Sequence, residues 1–240
     1  MYFGGNMTTL DIILPAYNPL PGWEELVVER FLSLENQLPD VQLQLIIAND
    51  GSSRLDEDSA LAILKRGIPA LQWISYMPNK GKGYALRKGV ENSTGDFIIY
   101  TDIDWPYTES SMLAMADALI TKSDAVIGVR DHNYYQHLPP SRRRISRLLK
   151  KINARFLKLK VDDTQAGLKG FRKHLKGIFL STTIDRYLFD LEFIFMLSRQ
   201  KNVRITEQPI ELRSGITFSK MNRKILLQEA RNFLNIWLRN

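Results

Sequence analysis

Residues 10–104 alternate between two periodicities, and that alternation leaves few architectures open. "LDIILPAY" (10–17), "VQLQLIIAND" (41–50), "LQWISYM" (71–77) and "GDFIIYTDID" (95–104) are apolar runs of strand length bounded by Pro, Gly, Asn or Asp. Between them, "WEELVVERFLSLENQL" (23–38), "SALAILKRG" (59–67) and "YALRKGVENS" (84–93) carry apolar residues at helical spacing. Strands joined by helical crossovers lie parallel, with helices covering the sheet. The expectation is an α/β fold with a Rossmann-like, mostly parallel sheet. Such sheets bind ligands beyond the carboxyl ends of their strands. Three of those ends are Pro15-Ala16-Tyr17-Asn18, Asn49-Asp50-Gly51-Ser52 and Asp102-Ile103-Asp104.

After Arg130 the rhythm breaks. "HNYYQHLPPS" reads as a loop, and "RRRISRLLKKINARFLKLK" sets Ile145, Leu148, Leu149, Ile152, Phe156 and Leu159 on one helical face with basic residues around the rest. "DDTQAGLKGFRK" is polar and punctuated by Gly, "RYLFDLEFIFMLSRQ" reads as a largely buried helix, and "VRITEQPIEL" as a strand. The final "RKILLQEARNFLNIWLRN" is an amphipathic helix with Leu226, Ala230, Phe233, Leu234 and Trp237 in register. One domain over 7–221 is expected, with halves at about 7–130 and 131–221 and a C-terminal helix over 222–240.

Several classes of function are excluded by what is missing. Without cysteine there is neither a thiolate nucleophile nor a thiolate metal site. Strand one runs into "PAYNP" rather than a Gly-x-Gly-x-x-Gly turn, against a dinucleotide-dependent oxidoreductase, and the phosphate loop of nucleoside triphosphatases is absent. No apolar run approaches the roughly 18–20 residues of a membrane span. The opening "MYFGGNMTTLD" lacks the pattern of a secretory signal, and Met7 is a candidate start. The net charge of +7 is concentrated: residues 141–161 carry nine Lys and Arg and no acid. A basic helix is a common footprint of nucleic-acid binding. That reading leaves the acids at the strand ends unexplained, because they would repel phosphate unless a metal intervened.

Asp102 and Asp104 are the acids that matter most. Two carboxylates at i and i+2 suit a hard divalent cation shared with diphosphate oxygens. "NKGKGYALRKGV" just upstream offers a turn from which Lys80 or Lys82 approaches a phosphate. His132, His137 and His174 are scattered and suggest no ligand set.

"LPAYNP", "IIANDGSS", "NKGKGYALRKGV" and "GDFIIYTDIDWPY" together resemble the nucleotide-sugar half of family 2 glycosyltransferases, which have the GT-A fold. "GVR" (128–130), "DTQAGLKGF" (163–171), "LFDLEF" (188–193) and "RSGITFSKM" (213–221) resemble its subgroup that makes polyprenyl-phosphate sugars, the dolichyl-phosphate mannose or glucose synthases and their bacterial counterparts. The resemblance runs over residues 10–221. It implies a nucleoside pocket of Pro15, Ala16, Tyr17, Ala48 and Asp50. It implies Mg²⁺ or Mn²⁺ and the diphosphate on Asp102 and Asp104, and phosphate contacts from Arg130, Arg213 and Lys220. Asp163 and Gln165 would face the acceptor, and Asp190 and Glu192 would complete the sugar side. The chain departs from the pattern at Pro19 and Asn49, where acids are usual, and at Ala166-Gly167-Leu168, where Cys-Gly-Phe is common.

The implied reaction is an inverting displacement at an anomeric carbon, with charge developing on the leaving nucleoside diphosphate. A lipid phosphate arrives as an anion, whereas a saccharide hydroxyl, the alternative acceptor, needs a carboxylate base. Asp163, Asp190 and Glu192 compete for that role. The basic helix would dock on anionic lipid. The expected setting is cytoplasmic, peripheral on the inner face of the membrane, and it leaves room for a separate membrane-embedded subunit.

Overall fold

The computed structural model describes residues 7–130, 157, 159, 161, 163–164, 166–214, 232–234 and 236–238. The chain begins with β1 (Thr8–Ala16), α1 (Trp23–Gln37), β2 (Val41–Asp50), α2 (Glu57–Gly67), β3 (Gln72–Tyr76), α3 (Lys82–Asn92) and β4 (Phe97–Tyr100). There follow α4 (Glu109–Thr121), β5 (Ala125–Arg130), β6 (Lys169–Arg172), α5 (Lys176–Leu180), α6 (Phe189–Ser198) and β7 (Ile205–Ile210). The seven strands form one sheet in the order β3-β2-β1-β4-β6-β5-β7. β1 pairs in parallel with β2 and β4, β2 with β3, and β5 with β7. β6 alone runs antiparallel, between β4 and β5.

Alternation along β1 sends side chains to two cores. Leu10, Ile12 and Leu14 pack with Trp23, Val27, Phe31 and Leu34 of α1 and with Met112, Met115 and Leu119 of α4. Ile13 joins Leu86 and Val90 of α3, together with Tyr100, Phe171, Phe179, Phe189 and Phe193. The aromatic members interlock: Phe179 lies 4.8 Å from Phe193 and 5.1 Å from Phe171 between ring centroids, distances at which such pairs attract. Asp11 pins the approach to β4, accepting from Thr94 N at 2.7 Å and Gly95 N at 2.9 Å. Burial raises its carboxyl, and those two N–H donors oppose the rise.

Three local readings are corrected. β4 stops at Tyr100, so Asp102 and Asp104 stand in the turn beyond it rather than on the strand. "DDTQAGLKGFRK" contains a buried strand, β6, because Gly170 lets the backbone sit closely against Ile99 and Leu119. In the C-terminal segment Phe233 and Ile236 pack inward, whereas Leu234, Trp237 and Leu238 are exposed. Of the basic segment 142–159, the described residues are Leu157 and Leu159, and both pack against the α6 side of the core. The rest of that reading lies outside the described residues, as do Leu226 and Ala230.

Candidate active site

The carboxyl ends of β1, β2 and β4 open onto one cleft of about 280 Å³. Pro15, Ala16 and Tyr17 enter from β1, and Asp50 from β2. Asn79, Gly81 and Lys82 come from the turn into α3, and Asp102 and Ile103 from the turn after β4. The far wall is Arg186 and Tyr187, just before α6. Six of the sequence-derived residues therefore meet: Pro15, Ala16, Tyr17, Asp50, Lys82 and Asp102. Ala48 does not line the cleft; it is wholly buried within β2.

Asp50 organises one side. Its carboxylate accepts from Lys80 N and Gly81 N, both at 2.8 Å, and from Asn79 Nδ2 at 2.7 Å. This clamps the turn that presents Lys82, which Gly81 makes with a φ of 116°. A Cβ there would strike the carbonyl of Asp185, so the turn needs glycine for space as well as for conformation.

The turn after β4 is built from the opposite side. Trp105 adopts a φ of 45° and buries its indole in the core, which directs the flanking acids outward. Arg213 fixes this shape: Nη2 donates to Asp104 O at 2.8 Å, Nε to Trp105 O at 2.7 Å, and its backbone N to Pro106 O at 2.9 Å. Lys82 Nζ forms an ion pair with Asp102 Oδ1. Burial acts to lower the Lys82 ammonium, but Asp102, Asp190 and Asp104 outweigh it and hold it above the ordinary lysine value. Desolvation first, and then the charge of Asp102, raise the Asp104 carboxyl. Gly167 closes against this acid pair, since a Cβ there would collide with Asp102 Oδ2.

Asp102 and Asp104 offer hard oxygen donors whose mutual repulsion a divalent cation would relieve, so the pair fits Mg²⁺ or Mn²⁺. No cluster of three or more His, Asp or Glu suited to a metal occurs among the described residues, so further ligands would come from diphosphate and water.

The other three acids are differently placed. Asp163 is gripped by the Arg130 fork, Nε to Oδ2 at 2.7 Å and Nη2 to Oδ1 at 2.8 Å, and also accepts from Arg130 N at 3.1 Å. Asp190 pairs with Lys169 Nζ at 2.8 Å and accepts from Tyr100 Oη at 2.7 Å. Lys169 is fully buried, which pushes its ammonium below the ordinary lysine value against the pull of Asp190; it also donates to Ala166 O. Glu192 accepts from Thr183 N and Ile184 N at 2.8 Å and from Thr183 Oγ1 at 2.9 Å. Gln165 and Lys220 lie outside the described residues.

Asn79, Arg186 and Tyr187 reach the cleft without having been singled out in the sequence. Their signal is adjacency: Asn79 opens "NKGKG", and Arg186-Tyr187 precede "LFDLEF".

Known proteins share this sequence pattern and fold. A dolichyl-phosphate beta-glucosyltransferase of Drosophila melanogaster is 24% identical over 96% of this chain and 74% of its own length. One from Dictyostelium discoideum is 29% identical over 82% of this chain and 64% of its own length, so this chain spans just under two thirds of that relative. The glucosyl-3-phosphoglycerate synthase of Mycobacterium tuberculosis, solved with UDP, superposes with a TM-score of 0.63 at 15% identity, covering 97% of this chain and 79% of that one. A mannosyltransferase of Pyrobaculum calidifontis, solved with GDP-Man and Mn²⁺, gives 0.53 at 16% identity, over 83% and 54%. The seven-stranded sheet is thus that of GT-A glycosyltransferases. The signature described as glycosyl transferase family 2 matches residues 11–179, which take in most of β1, all of β2–β4, the Asp102–Asp104 turn and β6, and on that match the chain belongs to glycosyl transferase family 2.

Proposed function

We propose that this chain transfers a hexose from a nucleotide sugar, of the UDP-glucose or GDP-mannose type, to a polyprenyl phosphate at a membrane surface, with inversion at the anomeric carbon. The observation that carries the choice of acceptor is the state of the candidate bases. Asp163, Asp190 and Glu192 are each 6% exposed or less and each is spent on donors of the protein itself. A hydroxyl acceptor needs a base to take its proton in the transition state. A phosphate monoester has a second pKa near 6, so it arrives already ionised and needs none. The similarity to dolichyl-phosphate beta-glucosyltransferases supports the same choice.

In this reading Tyr17, Pro15 and Ala16 form the nucleoside wall, and Asp50 holds the α3 turn at its edge. Asp102 and Asp104 would hold Mg²⁺ or Mn²⁺, which when bound supplies Lewis-acid stabilisation of the leaving diphosphate. Lys82 adds counter-charge from the cleft side, and Arg213 keeps the turn in shape. Arg130 holds Asp163 so that this acid shapes the acceptor side rather than moving a proton. Residues 7–130 serve as the nucleotide-sugar half and 131–221 as the acceptor half, with 222–240 as a C-terminal amphipathic helix. Docking would rest on the basic segment 142–159 and on exposed Leu234, Trp237 and Leu238, against anionic lipid on the cytoplasmic, inner face. No helix among the described residues is long and apolar enough to cross a membrane, which leaves room for a membrane-embedded partner subunit.

Calorimetric titration with UDP-glucose and with GDP-mannose, each with and without Mn²⁺, tests this reading. Metal-dependent binding of one donor, lost in Asp104→Ala, is expected. Absence of binding to either donor in the wild type would overturn it.

A further inference from the structure

The leaving diphosphate carries two negative charges or more into the cleft, and most of the obvious donors there are already committed. The amides that open α3 do not form an anion cradle: Lys80 N and Gly81 N point at Asp50, and Gly83 N donates to Asp185 O at 2.8 Å. Lys82 is paired with Asp102, the Arg130 fork is closed on Asp163, and Arg213 is spent on two backbone carbonyls. Arg87, on the next turn of α3, donates to Ile184 O at 3.0 Å and Thr182 Oγ1 at 3.3 Å and pairs with Asp185.

Arg186 is different. It lines the cleft, it is half-buried, and its guanidinium has no acid or hydrogen-bond acceptor among the described residues. The wall that carries it is rigidly held. Glu192 accepts from Thr183 N and Ile184 N, Arg87 grips Ile184 and Asp185, and Asp185 O receives the first amides of α3. Its stem lies against Gly81, where a Cβ would come within 3.1 Å of Arg186 Cγ. An arginine on a wall so held, lining a cleft that also holds Lys82 and Asp102 and with no acceptor of its own among the described residues, is suited to meet phosphate oxygens, and its planar fork can do so in pairs.

We infer that Arg186 is the side chain that grips the donor's diphosphate, with Glu192 and Arg87 as residues that position it. This rests on the reading of the cleft as a nucleotide-sugar site. The donor's phosphates are preferred to the acceptor's because Arg186 shares its cleft with Tyr17, Asp50 and Asp102, the nucleoside and metal side.

The test compares a nucleoside with its diphosphate. Uridine and UDP, and guanosine and GDP, are titrated calorimetrically with Mn²⁺ into wild type, Arg186→Ala, Arg186→Lys and a surface control, Arg66→Ala. Loss of a charge-assisted contact predicts a diphosphate affinity lower by about 10- to 100-fold in Arg186→Ala, with nucleoside affinity changed by less than about twofold. Arg186→Lys should recover part of the loss, and Arg66→Ala should match wild type. Unchanged diphosphate affinity in Arg186→Ala overturns the inference, and a raised KM for polyprenyl phosphate in that same variant would reassign Arg186 to the acceptor. Wild type that binds neither diphosphate overturns the nucleotide-sugar reading itself, and Arg186's role with it.

Discussion

In the turn after β4, Asp102 and Asp104 stand side by side with Lys82 as the cation paired to Asp102, while Asp104 is pushed toward its protonated form. Across the site, Asp163, Asp190 and Glu192 are as acidic by sequence, yet each is matched by protein donors: an arginine fork, a lysine with a phenol, and two amides with a hydroxyl. The first group is under-neutralised and the second is satisfied. Under-neutralised charge at a cleft invites a ligand, whereas satisfied buried charge fixes structure. In the proposed reaction the same residue type does chemistry in one region and architecture in the other, and partners decide which.

Substitutions can break that comparison, and the largest effect is expected in the turn. Asp104→Asn should cut transfer by about 10²–10³-fold, the scale of losing electrostatic stabilisation of a developing charge. Its melting temperature should hold or rise, because a like-charge repulsion is removed. A variant that unfolds would instead make Asp104 structural. Lys169→Met should behave in the opposite way, leaving Asp190 buried without its cation and costing about 3–5 kcal/mol in urea denaturation. A loss below about 1 kcal/mol would mean that Asp190 is not charged there.

Glu192→Gln sharpens the contrast further. It weakens the acceptor of two amides and a hydroxyl, so stability should fall by about 1–2 kcal/mol. The donor KM should rise through movement of the Arg186 wall, while kcat changes little. A general base would instead lose about 10²–10⁴-fold in kcat. The pH profile gives the gentlest test. With an acceptor phosphate ionising near pH 6 and Lys82 held charged above its ordinary value, the rate should climb to about pH 7 and stay flat to about pH 9. An extra ionisation that vanishes in Glu192→Gln would restore that residue as a base.

Much of the frame was legible because burial leaves a periodic trace. The apolar runs at 10–17 and 41–50 became β1 and β2, and Asp102 was visible as a polar residue at a strand end. β6 was not legible, since Lys169 lies wholly inside the protein and a lysine there reads as a surface residue. Its ion-pair partner, Asp190, lies 21 residues later in the chain, out of reach of a local reading. The same holds for the satisfied acids: "FDLEF" shows two carboxylates, and nothing local shows that one meets Lys169 and the other the amides of 183–184. Arg186 was missed for the converse reason, because its distinction is to have no partner among the described residues.

The central claim is that the acceptor brings its own negative charge. Purified protein with Mn²⁺ and whichever of UDP-glucose or GDP-mannose it binds should be offered a polyprenyl phosphate and the matching unphosphorylated polyprenol at equal concentration. The account predicts sugar transfer to the phosphate alone; transfer to the alcohol, or to a saccharide hydroxyl in place of either, would contradict it.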